Sequence, residues 1–361
     1  MRKLILRLGI FVGVLLLLFL GTELYFRSQG YGALPSVWFD PEVGTRFHPN
    51  QSRDIYAAGD VYMHPAKING LGLRGHEPLP EADGDAGLRV VCLGDSFTFG
   101  WGVEDNETFP VLVEEALDAA IDEPVDVINC GAPGYNTYQE HQLYKKLMAP
   151  LNPDYVVISW YMNDLDPMSF GTTGTLAPLD HPLAGTALLD YWSRNLRLKI
   201  IGLPKFEFEG FDQAAAMEMK KVYDQLIGGG LWKDSSTEAA RPFIDRNLGD
   251  LTALLDTIEA DGAVPIVVVF PTVGQMDDLI KSKAEDTPEA YAEMRTKRTF
   301  AMSKVTELAQ KRGVATVDLM DAYLESKVRP YGAVDLSHPS AHGQRIAAEA
   351  ITAALKEAGA F

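Results

Sequence analysis

Four short segments of the 361-residue chain carry side chains that could do chemistry, and each closes or follows a strand-like run or leads into a helix. Gly94-Asp95-Ser96-Phe97-Thr98 comes directly after the apolar run Leu88–Leu93. A hydroxyl two residues past such a strand, where a helix is about to start, is exposed at a sheet edge. Its own N–H shares that space with the helix N-terminus and can stabilise negative charge. A plain N-cap serine fits the same position. Asp335-Leu336-Ser337-His338-Pro339 stands just before the last helix. A spacing of three on a loop lets both side chains turn the same way, so that the carboxylate orients the imidazole and stabilises its charged form. The alternative is a helix-leading turn with a solvated histidine. Asn129–Asn136 (NCGAPGYN) has glycines that let the backbone approach a ligand closely, or that simply make a turn. Trp160-Tyr161-Met162-Asn163-Asp164 places a side-chain amide where it can donate into a crevice, or forms an ordinary Asn-Asp loop.

The elements that would position these residues alternate in type. Leu88–Leu93, Val125–Cys130, Tyr155–Trp160, Val264–Phe270 and Val314–Leu319 are apolar runs of strand length. Glu107–Ile121, with Phe109, Leu112, Val113, Ala116, Leu117 and Ile121 at helical spacing, is an amphipathic helix. Asn136–Met148 is helical with Asn136 or Thr137 as cap. Thr287-Pro288 opens a helix running to about Arg312 and stopped by Gly313, and a last helix runs from Ser340. Alternating strands and helices imply right-handed crossovers and a three-layer α/β/α sandwich around a five-stranded parallel sheet. About a hundred residues separate the third and fourth strands, more than a crossover needs. Residues 165–245 therefore form an insertion over the ligand crevice, a partial lid or a surface elaboration, with Gly228-Gly229-Gly230 as a candidate hinge. Its aromatic residues Tyr191, Trp192, Phe206, Phe208, Phe211 and Trp232 form a small core of their own or a sugar-stacking surface. Residues 28–87, irregular and rich in Gly, Pro, Asn and Asp, read as a linker and a wrap around the main domain at 88–361.

Taken together and in this order (Ser96, the Gly131–Gly134 turn, Asn163, then Asp335-x-x-His338) the four segments resemble the SGNH hydrolases, also called GDSL esterases, over residues 88–164 and 314–355. The resemblance implies a flavodoxin-like sandwich and an esterase site. Ser96 would be the nucleophile, His338 the general base and Asp335 its orienter. The N–H groups of Ser96 and Gly134 and the amide of Asn163 would form the oxyanion hole. Asn69–Gly75 (NGLGLRG) is similar to the stretch that precedes the catalytic block in membrane-anchored members. One departure concerns the pocket: the family's third block usually reads Gly-x-Asn-Asp, and here Tyr161 stands in place of the glycine. No Gly-x-Ser-x-Gly elbow surrounds Ser96, which argues against the α/β-hydrolase fold. The implied chemistry needs no metal or organic cofactor. His338 and His342, four apart, lack an evident third ligand, and no paired-cysteine metal pattern exists.

Composition sets the compartment and the partners. Of 50 acidic and 32 basic side chains, one acid and four bases lie in the first 30 residues, so the body is strongly acidic and would repel a phosphate backbone. Cys92 and Cys130, the only cysteines, read as buried free thiols. A basic leader (Arg2, Lys3, Arg7) precedes an apolar stretch, and no small-x-small cleavage site follows it. Residues 1–27 are expected to be a signal anchor, with a cleaved signal as alternative, and the basic leader puts the catalytic body outside the cytoplasm. The expected activity is hydrolysis of carboxylic esters, with acylated envelope polysaccharide a candidate substrate. Two alternatives are acyl transfer to a polysaccharide hydroxyl by the same site, and a non-enzymatic glycan-binding module. Protein partners and oligomeric state have no signature in the sequence.

Overall fold

The computed structural model describes residues 2–28, 37–54, 65–80, 87–167, 213–229, 234–332 and 337–361. Asp335, most of the insertion and all six of its named aromatics lie outside the described residues.

Five parallel strands make the central sheet: β5 (Leu88–Gly94), β6 (Val125–Gly131), β7 (Tyr155–Trp160), β8 (Val264–Val269) and β9 (Ala315–Asp318). Their spatial order is β6-β5-β7-β8-β9, so the strand order reverses beside β5. Every residue of β5, β6 and β7 is buried, which is why these strands read as mainly apolar runs rather than as an alternation, broken by the paired Arg89 and Asp126 and by Asn129. Helix α3 (Phe109–Asp118) and the last helix, α10 (Ala341–Glu357), pack together on one face. On the other lie α4 (Thr137–Leu143), α6 (Arg241–Ala260) and α8 (Pro288–Lys311). This is the three-layer α/β/α sandwich expected from the alternation.

Local signals account for most boundaries. Asn136 caps α4: its side chain accepts from Gln139 N, and the Gln139 side chain accepts from Asn136 N. Past Leu143 the helix loosens into a π-turn over Tyr144–Met148, short of Pro150. Thr287 caps α8 with Pro288 in its first turn, and Ser340 caps α10. The helix expected from Glu107 starts instead at Phe109, after a 3-10 turn over Asp105–Glu107.

Three features differ from the expectation. Residues expected to be irregular contain two antiparallel pairs, β1 (Val37–Asp40) with β2 (Gly44–Phe47), and β3 (Gln51–Asp54) with β4 (Pro65–Ile68). Helix α6 begins at Arg241, inside the expected insertion, and α5 (Gln213–Gly229) runs through two of the three hinge glycines. Helices α7 (Val273–Glu285) and α9 (Met320–Glu325) fill connections that had no assigned element.

The segment before β5 is pinned to the sheet by buried charges. Arg89 Nε pairs with Asp126 Oδ2 at 2.9 Å, and its NH2 donates to Leu79 O at 2.6 Å. His76 lies between Glu114, 3.0 Å from Nε2, and Asp126, 3.9 Å from Nδ1. That placement holds its pKa up at about 9, through the hydrogen bond to Glu114 first, against the opposing effect of partial burial. At the N-terminus α1 (Arg2–Ser28) is a 27-residue helix whose apolar stretch Leu6–Phe26 has no buried residue and is long enough to cross a bilayer.

Candidate active site

The carboxyl ends of the central strands bring Ser96 and His338 together. Ser96 is the first residue of a four-residue helix, α2 (Ser96–Phe99), that follows β5. Asp95 caps it, accepting from Phe97 N at 2.8 Å. The turn is tight on both sides. Gly94 has φ +155°, and a Cβ there would stand 2.1 Å from Thr98 Oγ1. A Cβ on Gly131, at the end of β6, would stand 2.0 Å from Phe99 N. Backbone atoms cannot retreat from such a contact, so the closest strand-to-turn approach requires glycine there.

Arg74, from the NGLGLRG segment, holds the far end of α2. Its NH1 donates to Phe99 O (3.0 Å) and Gly100 O (2.7 Å), and its NH2 to Val103 O (2.8 Å). Its Nε pairs with Asp105 at 2.8 Å. A guanidinium has enough fixed donors to satisfy three carbonyls and a carboxylate at once. The cation also sits where a helix end presents partial negative charge.

His338 Nε2 lies 2.8 Å from Ser96 Oγ. The imidazole stands among rings: its centroid is 5.6 Å from Phe97 and 6.1 Å from Trp101. The expected orienter, Asp335, falls outside the described residues. His342 is bonded elsewhere, its Nε2 2.8 Å from Ser326 Oγ, so the two histidines do not converge on a metal site.

The other expected residues line the same cavity, of about 140 Å³, with Ser96 and His338: Gly134, with φ +77°, and Asn163. Among the described residues neither the Ser96 nor the Gly134 N–H donates to a backbone carbonyl. Asn163 Nδ2 donates to Asp95 Oδ2 at 2.6 Å. The carboxylate can only accept, so it fixes which end of the amide faces it, and the second Nδ2 hydrogen is left for a ligand. Asp95 thus connects the Ser96 turn to the amide, a role that the Gly-Asp-Ser segment did not disclose when read for its serine alone. Burial pushes the Asp95 carboxyl up, while the Phe97 N–H, the Asn163 amide and His338 pull it down.

Two more acids lie beneath. Asp164 accepts from Thr137 Oγ1 and Tyr161 N, each at 2.8 Å. Glu140, from α4, is 1% exposed, and among the described residues neither of its oxygens has a hydrogen-bond partner. Burial first, then Asp164 and Asp95, push its pKa well above its ordinary value. A wider depression of about 510 Å³ opens at the opposite edge of the sheet, where Leu88, Tyr155 and Val264 begin their strands. It contains none of the four segments that carry chemistry.

Comparison with solved structures finds chains of similar fold at low identity. A GDSL-like lipase from Bacteroides thetaiotaomicron is 14% identical, over 75% of this chain and 88% of its own, with a TM-score of 0.38. A variant of an acetyl xylan esterase from Geobacillus stearothermophilus is 16% identical, over 76% and 95%, at 0.42. A lipase/acylhydrolase from Enterococcus faecalis is 15% identical, over 75% and 97%, at 0.40. No curated protein matches the chain. The family profile described as GDSL-like lipase/acylhydrolase matches residues 92–346, a stretch that runs from the strand before Ser96 into the helix after His338. The chain belongs to the GDSL-like lipase/acylhydrolase family and is a serine esterase of that class.

Proposed function

We propose that the protein hydrolyses small acyl esters through an acyl-enzyme on Ser96, and that its substrates are acetylated glycans outside the cytoplasm. The 2.8 Å contact between His338 Nε2 and Ser96 Oγ carries this reading. A serine hydroxyl is a poor nucleophile until a neighbouring base takes its proton. As Oγ bonds to the acyl carbon, its proton passes to His338 and the carbonyl π pair moves onto oxygen. The resulting oxyanion is received by the N–H groups of Ser96 and Gly134 and the Asn163 amide, each such donor worth roughly 10²–10³ in rate. Collapse expels the alcohol oxygen, which takes the proton from His338. Water then repeats the sequence and releases the acid. Asp335, outside the described residues, keeps in this reading the role of orienting the imidazole. The basic residues at the start of α1 support a cytoplasmic N-terminus and an external catalytic body.

The test is hydrolysis of p-nitrophenyl acetate by the full chain in detergent, with wild type beside Ser96→Ala and His338→Ala. Each variant is expected to lose at least about 10³ in kcat. Acetate release from acetylated polysaccharide by the wild type alone checks the substrate class. Hydrolysis surviving in Ser96→Ala would refute the mechanism.

A further inference from the structure

We propose that Tyr161 sets the acyl length, closing the acyl side of the cavity so that the site takes acetyl esters and excludes long chains. The proposal rests on the reading of Ser96 and His338 given above. In that chemistry the leaving oxygen must face the imidazole that protonates it, and the carbonyl oxygen must face the amide donors. The acyl substituent takes the remaining direction. Two of the cavity's aromatic walls can be assigned on this basis. Trp101, 6.1 Å between centroids from His338, borders the alcohol. Tyr161, at the end of β7 and two residues before Asn163, borders the acyl group.

Tyr161 is backed by a wall that cannot give. Its ring lies against Phe97, 4.0 Å between centroids at 30°. Phe97 is 1% exposed and is held from behind by Phe270, at 5.3 Å, and Tyr331, at 6.4 Å. The backbone is fixed as well: Tyr161 N donates to Asp164 Oδ2 at 2.8 Å, and Asp164 N donates to Tyr161 O at 2.9 Å. The cavity measures about 140 Å³ and Tyr161 forms part of its wall, so a ring there takes room that a long acyl chain would need. The aromatic stands where the family pattern has glycine, so the restriction belongs to this chain.

The experiment measures kcat/KM for p-nitrophenyl acetate, butyrate and octanoate with the full chain, wild type beside Tyr161→Gly and Tyr161→Phe. Wild type should lose at least about tenfold from acetate to butyrate, the size of a methylene misfit. Tyr161→Gly should raise the octanoate-to-acetate ratio by at least about tenfold. Tyr161→Phe should keep the wild-type profile, because the ring and not the hydroxyl fills the space. A parallel measurement needs no variant. Wild type should react with a p-nitrophenyl methylphosphonate at least about tenfold faster than with its octyl counterpart, relative to hydroxide. Hydrolysis with the same chain-length profile in Tyr161→Gly, or a wild type that prefers octanoate, would overturn this proposal alone. A wild type inert to every ester and phosphonate would overturn the reading of the site and this proposal with it.

Discussion

Asp95 does two jobs with two oxygens. One caps the helix that starts at Ser96 and the other holds the Asn163 amide. Asp95→Asn keeps the size but replaces one acceptor by an NH2 group, which must face either the Phe97 N–H or the Asn163 amide donor, so it cannot serve both. The expected result is a fall of about 10²-fold in kcat with little change in KM, as for loss of one oxyanion donor. Steady-state kinetics on p-nitrophenyl acetate checks it, and a selective rise in KM would point to a binding role instead. The serine, the glycine turn and the asparagine stood out as chemically unusual residues at strand ends, and the histidine as one leading into the last helix. Asp95 was in plain view but had no assigned partner, because Asn163 lies 68 residues away and only the sheet brings them together. Glu140 was hidden differently. An acid on an amphipathic helix reads as solvent-facing, and only the packing of α4 shows it buried without a partner among the described residues.

At the scale of elements, the Ser96 turn is held from outside itself. A four-residue helix makes too few internal bonds to keep a shape, so Arg74 supplies the acceptors' partners at its far end. Arg74→Ala leaves buried carbonyls unpaired at roughly 1–3 kcal/mol each, and kcat should fall as the turn loosens. Arg74→Lys should rescue little, since one ammonium cannot span carbonyls on both sides of the turn. Thermal unfolding and kcat measured on the same samples check this; full activity in Arg74→Lys would show that charge alone suffices. The five strands were readable to within a residue or two; β5, β6 and β7 are buried throughout and β8 all but its first residue, while β9, only part-buried, is marked by its short Val-rich run after Gly313. The small antiparallel pairs were not, since four-residue strands offer almost no periodicity. Helix α7 did carry a signal, the Thr272-x-x-Gln275 capping box, but its apolar face is sparse.

For the whole molecule, two separate groups make stability fall as pH rises. The folded state keeps the His76 proton to about 9, whereas the unfolded chain releases it near 6.5. Between those values the folded state binds more protons, so the contribution is complete below about 6.5 and is lost as pH climbs through 9. His76 is 41% exposed, so solvent screening keeps this slope shallow. Glu140, whose carboxyl burial pushes up in the folded state, acts in the same direction from the ordinary carboxylate range upward. The midpoint of thermal unfolding should therefore drop from pH 5 to pH 9. Glu140→Gln should raise the midpoint at pH 8 more than at pH 5, and His76→Gln should flatten the stretch between 6.5 and 9. A rising midpoint in the wild type would contradict both assignments.

The two thiols give the fold an internal clock. Cys92 and Cys130 sit fully buried on adjacent strands, and burial pushes both far above the range in which a thiolate forms. An alkylating reagent can reach them only when the middle of the sheet opens. With reagent in excess, the rate of thiol modification becomes a count of opening events under native conditions. The same seclusion keeps both sulfurs reduced in surroundings that oxidise exposed cysteines, so the clock keeps running wherever the protein resides.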